Sequence, residues 1–323
     1  TKRVVLRTLM SIYDPMGLVG QFLMFLKMLL QEIWRSGYDW DREIDGPYCG
    51  KVVYLAKSIK IPQVTIPRCY RRVTSTSAKI ELHIFCDASE HGMAAVAYFR
   101  FEEGGVIECA LVASKTRVAP LNFLSIPRLE LQAAVLGARL SKAIIRSHRL
   151  EIHRTTYWTD SKNVVSWLNS DHRRYHQFVA FRIGELLETT YVQQWRWLPT
   201  KYNVADDGTK WVKTPDLFPD SRWFRGPSFL WEPECEWPAA VEPVHDTTEE
   251  LRVSACHHQT VDKGVEAAVA HAIRFISNVQ NSIRGTTKQL GPLTQPELAE
   301  AELIVFRSIQ QESYPEEIRC LRQ

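Results

Sequence analysis

The sequence has no paired cysteine motif. Its seven cysteines are odd in number and scattered along the chain, and none forms a Cys-x-x-Cys pair. This excludes a disulfide framework and a zinc ribbon, and it indicates reduced thiols in an intracellular setting. The string Cys256-His257-His258 lacks a second ligand pair at zinc spacing, so we interpret it as a solvated loop rather than a metal site.

The sequence also lacks a secretory signal peptide and a membrane-spanning run. The most apolar stretch, residues 18–30, is too short to cross a bilayer and contains Gln21 and Lys27. Its spacing instead predicts an amphipathic helix whose buried face carries Phe22, Leu26, Leu29 and Ile33. We expect no membrane association. Because the chain begins with Thr1, we also expect it to be a fragment of a longer protein.

Charge is distributed unevenly. The net charge is +3, but residues 1–78 carry 12 Lys and Arg against 6 Asp and Glu, a net of +6. Residues 79–212 carry 17 against 14, a net of +3, and residues 213–323 carry 11 against 17, a net of −6. A basic front half suits a polyanionic partner, although ordinary solvated faces explain the charge equally well.

Four acidic residues stand in settings that would direct them at one point. Asp87 ends the apolar run that begins at Ile84, and Asp160 ends the run Tyr157-Trp158-Thr159. Glu130 follows Pro127, which suits the first turn of a helix, and Asp206 lies in Asn203-Val204-Ala205-Asp206. Any one of these acids alone is more often a helix cap or a solvated charge. Together they are the ligand set that two Mg²⁺ ions need for in-line phosphodiester cleavage.

The order of predicted elements indicates an α/β fold. Strands are predicted at 79–87, 93–101, 106–114, 155–159 and 193–198, the first of them half-buried because it alternates apolar and polar residues. Helices are predicted from Pro127, over 163–168 and 178–187, and finally over 204–212. This order gives a mixed sheet with helices on both faces.

The flanking regions have their own character. Residues 1–78 are helix-rich at first and then turn to strand and loop around 61–67. Residues 213–245 are rich in Pro and Trp and are predicted to be a linker. Residues 246–323 are predicted to be helical, with one face of the helix from Pro296 to Glu312 carrying Leu298, Ala301, Val305 and Ile309.

Ordered strings along the chain carry a family resemblance. They are Ser11-Ile12-Tyr13-Asp14-Pro15-Met16-Gly17-Leu18, Phe85-Cys86-Asp87-Ala88-Ser89-Glu90, Ser114-Lys115-Thr116-Arg117-Val118-Ala119-Pro120, Ile126-Pro127-Arg128-Leu129-Glu130-Leu131, Trp158-Thr159-Asp160-Ser161, Asn203-Val204-Ala205-Asp206 and Gly226-Pro227-Ser228-Phe229-Leu230. The chain resembles the pol polyprotein of BEL/Pao-type LTR retrotransposons. The resemblance implies a ribonuclease H-like mixed five-stranded sheet at 79–212, with helical N- and C-terminal segments.

The resemblance also implies roles for the segments and residues. Residues 1–78 would be the thumb or connection after a missing polymerase palm, and 246–323 a spacer leading toward an integrase. Asp87, Glu130, Asp160 and Asp206 would be catalytic ligands of two Mg²⁺ ions, for which Mn²⁺ can substitute. The frame Asn-x-Ala-Asp favours Asp206 over its neighbour Asp207. Candidate substrate contacts are Ser89, Lys115, Arg117, Arg128, Ser161, Lys162 and Asn163, each of which is otherwise a solvated surface residue.

Several motifs of related enzymes are missing. The stretch 198–203 has no His, a residue that many ribonucleases H have before the last aspartate, so we expect altered turnover rather than inactivity; His172 and His176 are predicted to lie on a helix surface. No Tyr-x-Asp-Asp polymerase string occurs. The region is also labelled Pao retrotransposon peptidase (family A17), but neither Asp-Thr-Gly nor Asp-Ser-Gly, the strings of an aspartic peptidase, is present.

Three functions therefore remain open. The first is an endonuclease that cleaves the RNA strand of RNA–DNA hybrids beside the reverse transcriptase and integrase of the same polyprotein. The second is an inactive module that binds nucleic acid or braces the polyprotein. The third, disfavoured by the missing strings, is an aspartic peptidase. The retrotransposon resemblance implies a cytoplasmic virus-like particle and, at a later stage, the nucleus.

Overall fold

A computed structural model describes residues 1–46, 48–51, 69–71, 78–210, 218–239, 250–251 and 263–313. The chain divides into two compact units, Thr1–Arg252 and Val253–Gln323. The predicted strand and loop around 61–67 and the string Cys256-His257-His258 lie outside the described residues. Cys49, Cys69, Cys86, Cys109 and Cys235, the cysteines within the described ranges, carry free thiols.

A mixed five-stranded sheet organises the first unit. Its strands are β1 Lys79–Ala88, β2 Gly92–Glu103, β3 Val106–Val118, β4 Arg154–Thr159 and β5 Trp195–Trp197. The spatial order is β3-β2-β1-β4-β5. β1 and β3 flank β2 in antiparallel pairs, whereas β1–β4 and β4–β5 are parallel. The predicted mixed sheet with flanking helices is confirmed, and parallel pairing brings the ends of β1 and β4 to the same edge.

Strand β1 is buried on both faces, so the prediction of a half-buried strand was wrong. The polar residues Glu81 and His83 are fully buried, because Arg100 and Arg154 pair with the Glu81 carboxylate on the second face of the sheet. The alternation of apolar and polar residues in β1 therefore marks one apolar and one polar face, both buried, rather than a buried face and a solvent-exposed face.

The first face of the sheet is covered by helices. α3 Ile126–Ser147 packs its apolar side on β1 and β2, and α4 Lys162–Asn169 and α5 Gln177–Thr189 follow β4. Gly137 allows α3 to approach β1 closely, since a side chain there would collide with the Cys86 Sγ atom. This close approach holds the start of α3 near the end of β1.

The second face is covered by the chain after β5. The residues involved include Trp223, Phe229, Leu230 and Trp237, which are all buried against Phe85, Tyr98 and Trp158. Short helices carry this segment: the 3₁₀ turn Val204–Gly208, α6 Arg222–Arg225, and 3₁₀ turns at Ser228–Trp231 and Glu234–Glu236. Part of the predicted linker thus packs as core, because its tryptophans bury large apolar surfaces. The predicted last helix over 204–212 is a 3₁₀ turn that ends at Gly208, and 211–217 lie outside the described residues.

Two N-terminal helices lie on the side of the edge strand β3, the second packed on the strand and the first packed on the second. They are α1 Lys2–Ser11 and α2 Gly20–Arg35, and the predicted buried face of Phe22, Leu26, Leu29 and Ile33 is confirmed. The Lys27 Nζ atom donates to the backbone oxygen of Thr116 at 3.1 Å, and the Gln31 amide donates to Ala119 O at 2.6 Å. The Ser114 amide donates to Met16 O at 2.8 Å. Some backbone groups on the open side of β3 therefore have hydrogen-bond partners in the N-terminal segment.

The second unit contains α7 Lys263–Ile283 and α8 Gln295–Ser313. On α8, Ala301 is buried and Leu298 and Val305 are half-buried, as the predicted apolar face requires; nothing is described of the Ile309 side chain. Within the described ranges, no helix has both the length and the apolar character required to cross a bilayer.

Candidate metal centre

Asp87 lies at the end of the central strand. It is the second-last residue of β1 and is 4% exposed. The Thr209 hydroxyl donates a hydrogen bond to the Asp87 Oδ2 atom. The same end of the strand is tied to this segment by the Ser89 hydroxyl, which donates to Thr209 O at 2.9 Å. The orientation of Asp87 is therefore fixed by residues that come after Asp206 in the chain.

Asp160 follows β4 directly and lies beside Asp87 because β1 and β4 are parallel neighbours. Its Oδ2 atom accepts from the Thr200 hydroxyl at 2.7 Å, and its Oδ1 atom accepts from the Asn203 amide at 3.1 Å. The Asn203 amide also donates to Cys86 O at 3.0 Å and is fully buried. Asn203 thus joins the ends of both strands.

Asp206 and Asp207 face different partners on the 3₁₀ turn. The Lys210 ammonium contacts both Asp206 carboxylate oxygens, at 2.9 and 2.8 Å. Arg222 forms a two-armed pair with Asp207, at 2.7 and 2.6 Å. Asp206 joins Asp87 and Asp160, whereas Asp207 is turned to Arg222.

Three carboxylates meet at this edge of the sheet. Asp87, Asp160 and Asp206 each offer one oxygen, and these oxygens lie within 4.8 Å of one another. Burial raises the pKa of the Asp87 carboxyl to about 8, and the charges of Asp206 and Asp160 contribute to this rise. Hard carboxylate oxygens clustered in this way fit a divalent cation such as Mg²⁺, whose charge would offset their repulsion.

Glu130, the fourth predicted ligand, lies outside that group of three but is connected to it. It is half-buried near the start of α3, and the Ser161 hydroxyl donates to its Oε2 atom at 2.5 Å. Ser161 follows Asp160 and also caps α4 by accepting from the Val164 amide at 3.2 Å. One buried serine therefore joins Glu130 to the residue beside Asp160.

The predicted substrate contacts fall into two groups. Ser89, Ser161 and Arg128 are engaged within the protein, Arg128 by the Glu250 carboxylate at 2.6 and 2.8 Å. Lys115 and Arg117 are exposed near the end of β3, Lys162 is exposed at the start of α4, and Asn163 is half-buried beside it. His172 lies in a 3₁₀ turn, and His176 is exposed just before α5.

Sequence reasoning missed the residues that orient the carboxylates. Thr209 and Lys210 stand three and four positions after Asp206, a spacing that returns side chains to the same face of a helical turn. Partial burial of the Lys210 ammonium opposes its charge, but the hydrogen bonds to Asp206 and the surrounding aspartates raise its pKa. Their spacing of three and four positions from Asp206 was the sequence feature that could have identified Thr209 and Lys210.

Comparison with known proteins gives one family. Residues 1–161 match the family model described as a Pao retrotransposon-like RNaseH-like domain. This match includes Asp87, Glu130 and Asp160 and ends before Asp206. No curated protein matches the sequence.

Among solved structures, the chain is similar to the N-terminal RNase H domain of Rv2228c from Mycobacterium tuberculosis, solved as a fusion protein with maltose binding protein. The identity is 14%, the match covers 41% of this chain and 91% of that chain, and the TM-score is 0.27. A TM-score this low adds no structural weight. The family match supports a nuclease-type function in general and a divalent-metal site. Residues 1–161 of this chain therefore belong to the Pao retrotransposon-like RNaseH-like family.

Proposed function

We propose that this chain is a metal-dependent endonuclease that cleaves the RNA strand of RNA–DNA hybrids during retrotransposon reverse transcription. The observation that carries the proposal is the convergence of Asp87, Asp160 and Asp206 within 4.8 Å, at the strand ends of an RNaseH-like family domain. When bound, divalent cations supply activation of a water and stabilisation of the leaving oxygen.

The protein residues hold and orient this centre. Asp87, Asp160 and Asp206 would hold Mg²⁺ or Mn²⁺, with Glu130 reaching in from the start of α3. Thr209 fixes one oxygen of Asp87, and Asn203 and Thr200 fix both oxygens of Asp160. Preorganised carboxylates need little rearrangement when the substrate arrives, which lowers the cost of reaching the transition state.

Cationic and hydrogen-bonding side chains around the centre suit a nucleic acid substrate. Lys115, Arg117 and Lys162 are exposed near the same strand ends that carry the carboxylates and would contact phosphates. Asn163 would contact the RNA 2′-hydroxyl, the group that distinguishes RNA from DNA.

The polyprotein context is part of the proposal. Residues 1–78 would succeed a polymerase palm, and residues 79–212 would cleave the hybrid. Residues 213–245 would connect this nuclease to residues 246–323, which would lead to an integrase. The site of action would be a cytoplasmic virus-like particle and later the nucleus.

The test is cleavage of a labelled RNA–DNA hybrid by the purified chain with Mg²⁺ or Mn²⁺. We expect RNA-strand cuts that require metal and that fall at least about 100-fold in Asp87→Asn, because a metal ligand contributes several kcal/mol to the transition state. The matched control is Asp39→Asn, an exposed aspartate remote from the centre in sequence, which should cleave like the wild type.

Two results would contradict the proposal. Equal cutting by wild type and Asp87→Asn would indicate a contaminating nuclease. A wild-type chain that binds the hybrid in metal but leaves the RNA intact would favour the binding or bracing module. Duplex DNA and duplex RNA of the same sequence serve as substrates that should remain uncut.

A further inference from the structure

A cleft of about 360 Å³ opens between α3 and α5, outside the carboxylate group. Its lining is rich in arginine, and the residues that matter here are Arg117, Gln132, Arg139, Phe181, Arg182 and Glu185. The cleft starts at the functional end of the sheet, because Met93 pairs with Ala88 on one side and with Arg117 on the other. Two strand spacings separate Arg117 from Ala88, about 10 Å, which is the axial length of roughly three nucleotides of one strand.

The arginines of this face differ in whether an acidic side chain pairs with them. Within the described residues, Arg117 and Arg182 form no ion pair, and Arg117 is exposed. Arg139 pairs with Glu185 through two hydrogen bonds, at 2.6 and 2.9 Å, but the two side chains are 58% and 37% exposed, and an ion pair this exposed contributes about 1 kcal/mol or less. Phe181 is 67% exposed beside them and offers an aromatic surface.

Arg128 extends the face toward the carboxylate centre. Its guanidinium lies over the Phe178 ring at 4.9 Å, and Arg182 lies over the same ring at 3.5 Å. Glu250 meets the fork of Arg128 with both carboxylate oxygens. A backbone phosphate can also offer two oxygens to the fork of an arginine, so the Glu250 carboxylate stands where a phosphate could bind.

Glu250 is held there at a cost in backbone conformation. Its φ is 63°, and among the described residues no other non-glycine has a positive φ. Its carbonyl accepts from the His176 amide at 2.7 Å, and its neighbour Leu251 forms a β-bridge with Tyr175. The fold therefore holds the Glu250 carboxylate against Arg128, which stands two residues before the predicted metal ligand Glu130.

We propose that the face carrying Arg117, Arg128, Arg139 and Arg182 is a second binding surface for a phosphodiester backbone, along which a nucleic acid strand extends from the carboxylate centre. Glu250 occupies its Arg128 end and competes with a phosphate there. The inference rests on the proposed function only for the identity of the polyanion, since the cations and the cleft stand independently of cleavage.

The main experiment measures binding in EDTA, where no cutting occurs. The full chain is titrated into a fluorescent RNA–DNA hybrid over a range of salt concentrations, beside Arg139→Gln/Arg182→Gln, a variant of two arginines that line the cleft and have no role in the nuclease proposal. We expect the variant to bind at least about tenfold more weakly, with a salt slope smaller by about 0.9 for each lost phosphate contact. The matched control is Arg146→Gln/Arg149→Gln, two exposed arginines at the other end of α3, which should bind like the wild type.

Gly184 offers a test that removes no native contact. A side chain there meets nothing within 4 Å, and the residue lines a neighbouring cleft that shares Phe181 and Glu185. Gly184→Glu should weaken hybrid binding more than Gly184→Gln, because the two side chains differ only in charge.

Glu250→Gln should strengthen hybrid binding, because the ion pair that occupies Arg128 is lost. Thermal unfolding of each variant establishes that it is folded.

The outcomes separate this surface from the nuclease proposal. Wild-type affinity in Arg139→Gln/Arg182→Gln, together with equal binding by the two Gly184 variants, would overturn the second surface even if the chain cuts RNA. Weakened binding in those variants would support the surface even if Mg²⁺ produces no cleavage. An affinity unchanged or lowered by Glu250→Gln would contradict the role given to Glu250.

Discussion

At the scale of single residues, two adjacent aspartates have opposite surroundings. Asp206 is oriented toward Asp87 and Asp160 with Lys210 on its outer side, whereas Asp207 is 24% exposed and is held by Arg222. Neighbouring residues on a 3₁₀ turn point about 120° apart, so one can join a centre that the other cannot reach. The same change at each position therefore tests the centre with a built-in control.

We predict that Asp206→Asn and Asp207→Asn have different effects. The wild type should gain about 2.7 kcal/mol of unfolding free energy when Mn²⁺ or Mg²⁺ is about 100-fold above its dissociation constant. Asp206→Asn should lose most of that gain and most hybrid cleavage. Asp207→Asn should keep both and lose only about 0–1 kcal/mol with its partly exposed ion pair. Urea unfolding with and without metal measures this, and the reverse pattern would transfer the ligand role to Asp207.

The acids were easier to predict from sequence than the groups that orient them. Asp87 and Asp160 end apolar runs, and strand ends are a local signal. Asn203 joins Cys86 O to Asp160 across 117 and 43 residues of sequence, and nothing near Asn203 in the chain indicates either partner. Arg128 was predicted to contact phosphate, but its Glu250 partner lies 122 residues away. Such contacts arise from the packed fold, not from local pattern.

At the scale of strands and helices, buried charges join β1 to its neighbours. Glu81 is fully buried, and its carboxylate pairs with Lys79, Arg100 and Arg154. Burial opposes the charge on Glu81, but His83, Lys79 and Arg154 lower its pKa below the usual range. Burial lowers the pKa of His83, against the effect of Glu81, and Arg154 and Arg100 lower it further. The His83 Nδ1 atom accepts from the Trp158 indole at 3.2 Å, which requires neutral imidazole.

We predict that this pair lowers the unfolding free energy as the pH falls, whereas Asp87, whose pKa is raised to about 8, raises it over part of the same range. Below about pH 6.5 the unfolded chain binds a proton at His83 that the folded chain does not bind. Below about pH 4.3 the unfolded chain also binds a proton at Glu81 that the folded chain does not bind. Each proton contributes up to about 1.4 kcal/mol per pH unit. Asp87 acts equally in both chains, so the His83 contribution is the difference between them: from about pH 7 to about pH 5, urea unfolding should show that the unfolding free energy of His83→Gln falls less, or rises more, than that of the wild type. A wild-type slope in His83→Gln, or a shallower slope in the half-buried control His172→Gln, would contradict this.

Gly17 lets the N-terminal segment approach β3 closely. Gly17 has a φ of 70°, and a side chain there would collide with the backbone oxygen of Ser114. Gly37 has a φ of 72° with open space around it, so it carries the same backbone preference without the contact. Gly37→Ala should lose about 1–2 kcal/mol of unfolding free energy, and Gly17→Ala at least about 2 kcal/mol more. Equal losses in chemical denaturation would mean that this contact does not hold the two elements together.

At this scale the sequence predicted elements better than their burial. The strands and the helices over 163–168 and 178–187 appear near their predicted bounds, because period and turn signals are local. The stretch after β5 was harder. Proline and tryptophan looked like linker composition, yet Trp223 and Trp237 are 1% and 6% exposed against the sheet. A segment without regular structure can fill a core, and composition alone does not distinguish it from a solvated connection.

At the scale of the whole molecule, the chemistry and the core are concentrated in one unit. The carboxylate centre, the arginine face with Glu250, and the three groups of buried apolar residues all lie within Thr1–Arg252. In the second unit, α7 and α8 join through Arg274 and Glu297 at 2.5 Å. Residues 253–323 carry 7 Lys and Arg against 8 Asp and Glu, a net charge of −1, so the second unit adds little net charge with which to attract a polyanion.

We predict that a chain ending after residue 252 retains cooperative unfolding, hybrid binding and metal-dependent cleavage at wild-type levels, because Asp87, Asp160 and Asp206 all lie within the first unit. A chain ending after residue 239 should also fold, since the buried tryptophans remain, but it lacks Glu250 and should therefore bind the hybrid more tightly than the 252-residue chain. Calorimetry and hybrid titration of both chains measure this. If the 252-residue chain loses its cooperative transition or its cleavage, the second unit is part of the functional molecule rather than an attachment to it.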